Sequence, residues 1–232
     1  MNTWLSWSSG KDSAWALYQL TQMPEINVTG LVVSINQKHG RVAMHGTHNS
    51  LLNEQVKRLG IPIYPVYLPD NCSDATYQQL MQLLIQKAKS QDVKYMAFGD
   101  LFLEEIRTYR EKQLAHTGIT PIFPLWQQPT DQLAMAMIQS GIKAVISCVD
   151  TKQIPANFVG RQFNTSLLHD LPKGVDPCGE NGEFHTFIYD TPMFETPIDI
   201  MMGKTHQSDQ FLFIDIQLAI MKKSYTQSAE SF

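Results

Sequence analysis

Six consecutive residues, Ser8-Ser9-Gly10-Lys11-Asp12-Ser13, bring three hydroxyls, an ammonium, a carboxylate and one bare backbone position together. Such a run suits a phosphate chain if it joins the end of a strand to the start of a helix. Backbone N–H groups then point outward, the helix dipole is positive, and Lys11 adds a full charge. Gly10 allows close backbone approach, and Ser8, Ser9 and Ser13 can donate to phosphate oxygens. The run is not a Walker A loop, because Leu5 stands where the first glycine belongs and Asp12 where Ser or Thr follows the lysine. No GxGxxG occurs. A polar strand-to-helix turn with an incidental lysine is the competing reading.

A second concentration lies at 177–187, where Glu180, Asn181, Glu183 and His185 surround Gly179 and Gly182. Closely placed carboxylates can hold a cation or take a proton; a glycine-rich hairpin with solvated acids is the alternative. Elsewhere the signals are thinner. Gly99-Asp100 could border a ligand or form a turn with an Asp cap. Glu104 and Arg107 could line a cleft or pair across one helical turn, worth ~0.2–0.5 kcal/mol. Arg161 could clamp a phosphate or carboxylate or lie on the surface. His45 and His48 have helical spacing for a metal, but no further ligand stands at a familiar distance.

The elements that must position these groups follow from the apolar pattern. Trp4–Trp7 reads as a strand, Asp12–Gln22 as a helix ended by Pro24, and the β-branched run Val28–Ile35 as a buried strand. Leu52, Val56 and Leu59 mark a helix over Asn49–Leu59 with Gly60 at its C-terminal cap. Ile61–Leu68 reads as an edge strand because Pro62 and Pro65 cannot donate to a ladder. Asp74 can cap a long helix, Val93–Phe98 is a strand, 103–115 a helix, and Ile122–Trp126 a strand or extended link. Thr130 opens a helix closed by Gly141, and Ile142–Val149 is a further strand. Alternation of this kind implies a doubly wound parallel sheet covered on both faces. Past residue 150 loops rich in Pro and Gly precede β-like segments at 184–190 and 211–221, so a smaller C-terminal α+β part is expected. The division falls as 1–130 and 131–232. The last residues, 222–232, read as frayed.

The 232 residues carry 18 basic and 22 acidic side chains, a net charge of −4. Residues 1–149 are nearly balanced, with 12 basic and 11 acidic groups; 150–232 hold 6 and 11. An acidic C-terminal third disfavours an extended nucleic-acid face. Cys72, Cys148 and Cys178 form no CxxC pair, so reduced thiols in a cytoplasmic protein are expected. No apolar run approaches the ~18 residues of a membrane span.

SSGKDS resembles the SGGKDS pyrophosphate loop of the adenine nucleotide alpha-hydrolase-like (N-type ATP pyrophosphatase) superfamily, a Rossmann-like fold. PCGENGEFHTF (177–187), with GDLFLEEIR (99–107) and FVGR (158–161), is similar to the diphthine–ammonia ligase family. Two departures stand out: Ser9 replaces the loop's first glycine, and GENGEFHT replaces the commoner GEGGEYET. The variant form looks like a bacterial branch. Bacteria lack diphthamide, so there the acceptor would differ.

The resemblance implies an ATP- and Mg²⁺-dependent ligase that adenylates a carboxylate, releases pyrophosphate and amidates the acyl group with ammonia. Ser8, Ser9, Gly10, Lys11 and Ser13 would hold the phosphates, at ~2.7–4 kcal/mol of transition-state stabilisation per donor. Asp12 would orient Mg²⁺ or Lys11, or cap the helix. Val33, Ser34, Gly99 and Asp100 would flank the nucleotide at the strand ends, although Val33 is equally at home in a core. His45, Glu104, Arg107, Arg161 and Asn181 would meet the acceptor. Lys11, Glu180, Glu183 and His185 would be catalytic, an acid or imidazole taking the proton from ammonium. The partners would be ATP, ammonia and an unnamed carboxylate-bearing acceptor, with a homodimer left open. The alternatives are a sulfur-transferring RNA-modifying enzyme or a nucleotide-binding regulator without turnover.

Overall fold

The computed structural model describes residues 1–43 and 46–219. His45 and the expected frayed tail lie outside the described residues. The N-terminal half opens with β1 (Asn2–Ser6), α1 (Lys11–Thr21) and β2 (Asn27–Asn36). It continues with β3 (Arg41–Val42), α2 (Asn49–Leu59), β4 (Ile63–Leu68) and α3 (Asp74–Ser90). β5 (Tyr95–Ala97), α4 (Glu104–Leu114) and β6 (Thr120–Ile122) complete it. β1, β2, β4, β5 and β6 are parallel, in the spatial order β4-β2-β1-β5-β6. β3 adds an antiparallel pairing at Ile35 and Asn36 of β2, so the sheet is mixed. The order reverses between β1 and β5, which opens a crevice at their carboxyl ends.

Side-chain alternation assigns the two faces. Leu5 of β1 with Leu31 and Val33 of β2 packs against α1 and α2 through Leu17, Leu51 and Leu52. Trp4 and Val32, pointing the other way, pack with Leu84, Ile85 and Ala88 of α3. β4 pairs only with β2, the edge position that Pro65 within it favours. α2 ends at Gly60 with φ of 64°, the left-handed cap its position implies. At α3 the cap is Ser73 rather than Asp74: its Oγ accepts Thr76 N–H at 3.2 Å. A serine one residue earlier reaches the third N–H of the helix, whereas Asp74 is already helical.

The C-terminal half contains α5 (Thr130–Gln139), β7 (Lys143–Asp150), a 3-10 turn at Ala156–Phe158 and α6 (Thr165–Asp170). β8 (Phe184–Asp190), β9 (Ile200–Ser208) and β10 (Phe211–Leu218) follow. These strands form an antiparallel sheet in the order β8-β7-β10-β9. β7, the apolar run expected to continue the alternating β/α series, sits here instead. It is buried from Ala144 to Asp150, and a continuous apolar run suits a central strand of either sheet, so composition alone could not place it. β9 had no sequence signal, because all its residues after Ile200 are exposed. The two sheets share one core: Val145, Ile146, Phe187 and Ile188 join the face formed by Leu5, Leu31 and Leu51.

Candidate functional site

After β1 the chain turns through Trp7–Gly10 into α1. Ser9 takes φ of 70°, the left-handed region that side chains rarely adopt. Its carbonyl accepts Ile188 N–H of β8 at 3.0 Å and Gln55 Nε2 of α2 at 3.2 Å. Its hydroxyl is buried without a hydrogen-bond partner. Gln55, wholly buried, also donates to Ile188 O at 2.9 Å and accepts Trp7 Nε1–H at 3.1 Å. The bend is thus held by α2 and by the second sheet. Ser8 Oγ donates to Ser13 Oγ at 3.2 Å, and Ser13 Oγ to Gly10 O at 3.0 Å. Three N–H groups of the Ser8–Ser13 run are engaged within the protein: Ser8 N–H on Ser13 Oγ at 3.3 Å, Gly10 N–H on Ser8 Oγ at 3.4 Å and Lys11 N–H on Thr186 Oγ1 at 3.1 Å.

A cavity of about 480 Å³ opens beside this bend, at the crevice between β1 and β5. Ser8, Asp12, Ser13, Ser34, Gly99 and Asp100 line it from the N-terminal half; Glu180 and His185 line it from the C-terminal half. A Cβ on Gly99 would stand 3.1 Å from the Asp12 carbonyl carbon and oxygen, so a larger residue here would push the β5 exit away from α1 by a few tenths of an ångström. Arg110, Tyr77 and Ser6 also line the cavity. The sequence reading missed them, and Arg110 carries no signal that separates it from Arg107 one turn earlier.

Lys11 points elsewhere. It is 1% exposed, and its Nζ donates to both Asp12 carboxylate oxygens at 2.9 Å and to the Cys178 carbonyl. The rings of Phe163 and Phe184 lie 5.4 Å away. Burial works against its charge, but Asp12, Cys178 and Asp176 outweigh that and hold the pKa above the ordinary lysine value.

The 176–183 segment is braced from within. Asp176 Oδ2 accepts Cys178 N–H at 3.2 Å and Glu180 N–H at 2.9 Å. Glu183, 2% exposed, accepts Asp176 N–H at 2.9 Å and Asn181 Nδ2 at 3.0 Å through Oε1, while its Oε2 is buried without a partner. Glu183 and Asn181 therefore face each other rather than the cavity. Glu180 Oε1 accepts Leu101 N–H at 2.7 Å and ties this segment to the β5–α4 connection. Burial pushes its carboxyl up to about 7, opposed by that N–H and reinforced by Asp12 and Asp100. Asp100 is likewise raised by burial, with Arg110 opposing.

Several expected residues stand apart from the cavity. Val33 is wholly buried in the core. Glu104 is exposed. Arg107 pairs with Glu111 at 2.8 Å, four residues on, rather than with Glu104, and lies over Phe123 and Trp126. Arg161 pairs with Asp170 at 2.6 Å and lies over Phe158. His48 caps α2, accepting Ser50 N–H at 3.2 Å.

Residues 1–121 match the family described as the diphthamide synthase N-terminal domain, and residues 129–222 match the diphthamide synthase C-terminal domain. The chain belongs to the diphthamide synthase family. The diphthine–ammonia ligase of Bos taurus is 28% identical over 168 residues, covering 69% of this chain and 62% of that protein. Those of Danio rerio (30% identical over 141 residues) and Homo sapiens (28% over 147) cover 58% and 60% of this chain and 55% of their own lengths. The chain thus spans little more than half the length of these curated relatives. A solved Methanocaldococcus jannaschii protein, described as a predicted subunit of tRNA methyltransferase, aligns at 14% identity over 83% of this chain and 98% of its own. The TM-score of that alignment is 0.45. For a diphthamide synthase family member, the two matched segments are those that meet at the cavity.

Proposed function

We propose that this cavity binds ATP with Mg²⁺ and that the protein is an AMP- and pyrophosphate-forming ligase joining ammonia to a carboxylate. Family membership and the printed activity of its relatives, diphthine–ammonia ligase, support the reading. The observation that carries it is the meeting of Ser8, Asp12 and Ser13 with Glu180 and His185 around one cavity at the sheet's switch point. On this reading residues 1–130 serve the nucleotide, and 131–232 the acceptor.

An acceptor carboxylate oxygen attacks the α-phosphorus, the bond to the β-phosphate bridging oxygen breaks, and pyrophosphate leaves. Ammonia then attacks the acyl carbon, AMP leaves, and a proton is lost. Ser8 and Ser13 orient phosphate oxygens, and the start of α1 contributes its dipole. Glu180, poised near neutrality, takes the proton from ammonium or the attacking amine, with His185 beside it. The cavity's acids fit a magnesium complex better than bare ATP: Asp12, Asp100 and Glu180 line it together, and alone they would repel a polyphosphate. Among the described residues no three His, Cys, Asp or Glu group closely enough to hold a metal themselves. Magnesium bound through phosphates needs only one or two carboxylates, and Asp12 is the one offered at the phosphate loop. When bound, the ion neutralises charge developing on the leaving pyrophosphate. Sulfur transfer is disfavoured: Cys148 and Cys178 are buried, and burial raises both thiols, Cys148 to about 12.

The test is release of AMP and pyrophosphate from MgATP in the presence of carboxylate acceptors. Ammonia-dependent amide formation supports the reading; pyrophosphate release with no nitrogen incorporated refutes the ligase assignment.

A further inference from the structure

A phosphate loop with a lysine invites the assumption that the lysine meets the phosphates. In this protein the Lys11 ammonium is buried beneath the loop, on the Asp12 carboxylate and the Cys178 carbonyl. Moving it into the cavity would strip those partners from a buried charge. Arg110 of α4 is the only lysine or arginine among the described residues lining the cavity. The face of Phe98 lies 4.8 Å from its guanidinium carbon, and Asp100 stands at 3.6 Å from Nε, too far for a hydrogen bond. Both Arg110 Nε and Asp100 Oδ2 are buried with no hydrogen-bond partner. These two atoms face each other as an ion pair, so a guanidinium fixed on an aromatic face and one carboxylate stands at the cavity wall, in the fork geometry that suits a planar anion.

We infer that Arg110, not Lys11, is the cation that contacts the nucleotide's phosphate chain, and that Lys11 is the brace tying the phosphate loop to the 176–183 segment. The inference rests on the ATP-site reading above and names the charge that site uses. Asp100 and Phe98 are then positioning residues for Arg110.

Calorimetry with Mg²⁺ and the α,β-methylene analogue of ATP, and separately with adenosine, tests this. Arg110→Gln weakens binding of the analogue about ten- to a hundredfold, while adenosine binding changes less than about twofold. Lys11→Met lowers the melting temperature but leaves the analogue's affinity within about threefold. An Arg110→Gln protein that melts normally and binds the analogue like wild type overturns the assignment, as does a normally melting Lys11→Met protein that loses the analogue. Should Arg110→Gln fail to fold, phenylglyoxal labelling of the wild type decides. The analogue must protect Arg110 where adenosine does not; equal labelling with and without it overturns the assignment. A wild-type protein that binds neither ligand overturns the ATP-site reading itself.

Discussion

Ser9 concentrates the strain of the site in one residue. A serine at φ of 70° bears the left-handed penalty of about 1–2 kcal/mol. Its buried, unpartnered hydroxyl adds about 1–3 kcal/mol. Ser9→Gly relieves both and returns only the roughly 0.5–1 kcal/mol entropic cost of a glycine. Urea unfolding should therefore show the variant more stable by about 1–4 kcal/mol. Glu180 is the second residue whose state matters. Between about pH 4.5 and about 7 the folded protein holds a proton here that the unfolded chain has lost. This group's contribution to stability therefore falls as pH rises through that window and is flat above it. Glu180→Gln abolishes that slope, so melting temperatures of variant and wild type should diverge in the variant's favour from pH 5 to pH 8. Turnover in the wild type should rise with a midpoint near 7, and the variant should lack that limb.

At the scale of elements, α2 does more than cover the sheet. Its Gln55 is the polar pin between the Trp7–Gly10 bend and β8, making three hydrogen bonds in the buried interior. Gln55→Leu preserves approximate size but removes the acceptor of Trp7 Nε1–H and the Gln55 donor from the Ser9 and Ile188 carbonyls, although Ser9 O keeps Ile188 N–H. The expected cost is about 2–4 kcal/mol, read as a lower denaturation midpoint with unchanged denaturant dependence. Gln55 interrupts the apolar stripe of Leu52, Val56 and Leu59, and the sequence offered no partner for it. The contrast between α2 and β7 is instructive. The cap at Gly60 is a local requirement and sits where the pattern places it. β7 is an apolar run that two different sheets can accept, and it joined the antiparallel one.

Across the whole molecule, the two sheets share a core, and the Ser8–Ser13 loop lies at their junction. Burial there also silences chemistry. Cys148 and Cys178 are enclosed with raised pKa values, Cys178 donating to the Thr130 carbonyl at 3.4 Å, while Cys72 is partly exposed. A thiol reagent at pH 8 should label one cysteine in the native protein, Cys72, and all three after unfolding. Rapid labelling of Cys178 in the native state would mean that the 176–183 segment opens readily. No helix among the described residues is long and apolar enough to cross a membrane.

The linear chain by itself determined what depends on neighbours a few residues away. That includes the alternation of strands and helices, the proline-marked edge strand, the Gly60 cap, and the two motifs whose order marks the family. Only the tertiary structure decided which side chain of each motif faces the cavity. Lys11 and Glu183 have the right chemistry in the right motifs, yet both are turned inward onto partners of their own. Arg110 has an unremarkable place on a charged helix and lines the cavity. The reason is that a side chain's direction is set by which groups can satisfy its charge once the sheets have packed. For Lys11 one of those groups, the Cys178 carbonyl, comes from a segment more than a hundred residues away, whereas Glu183 is held by Asp176 and Asn181 of its own folded loop.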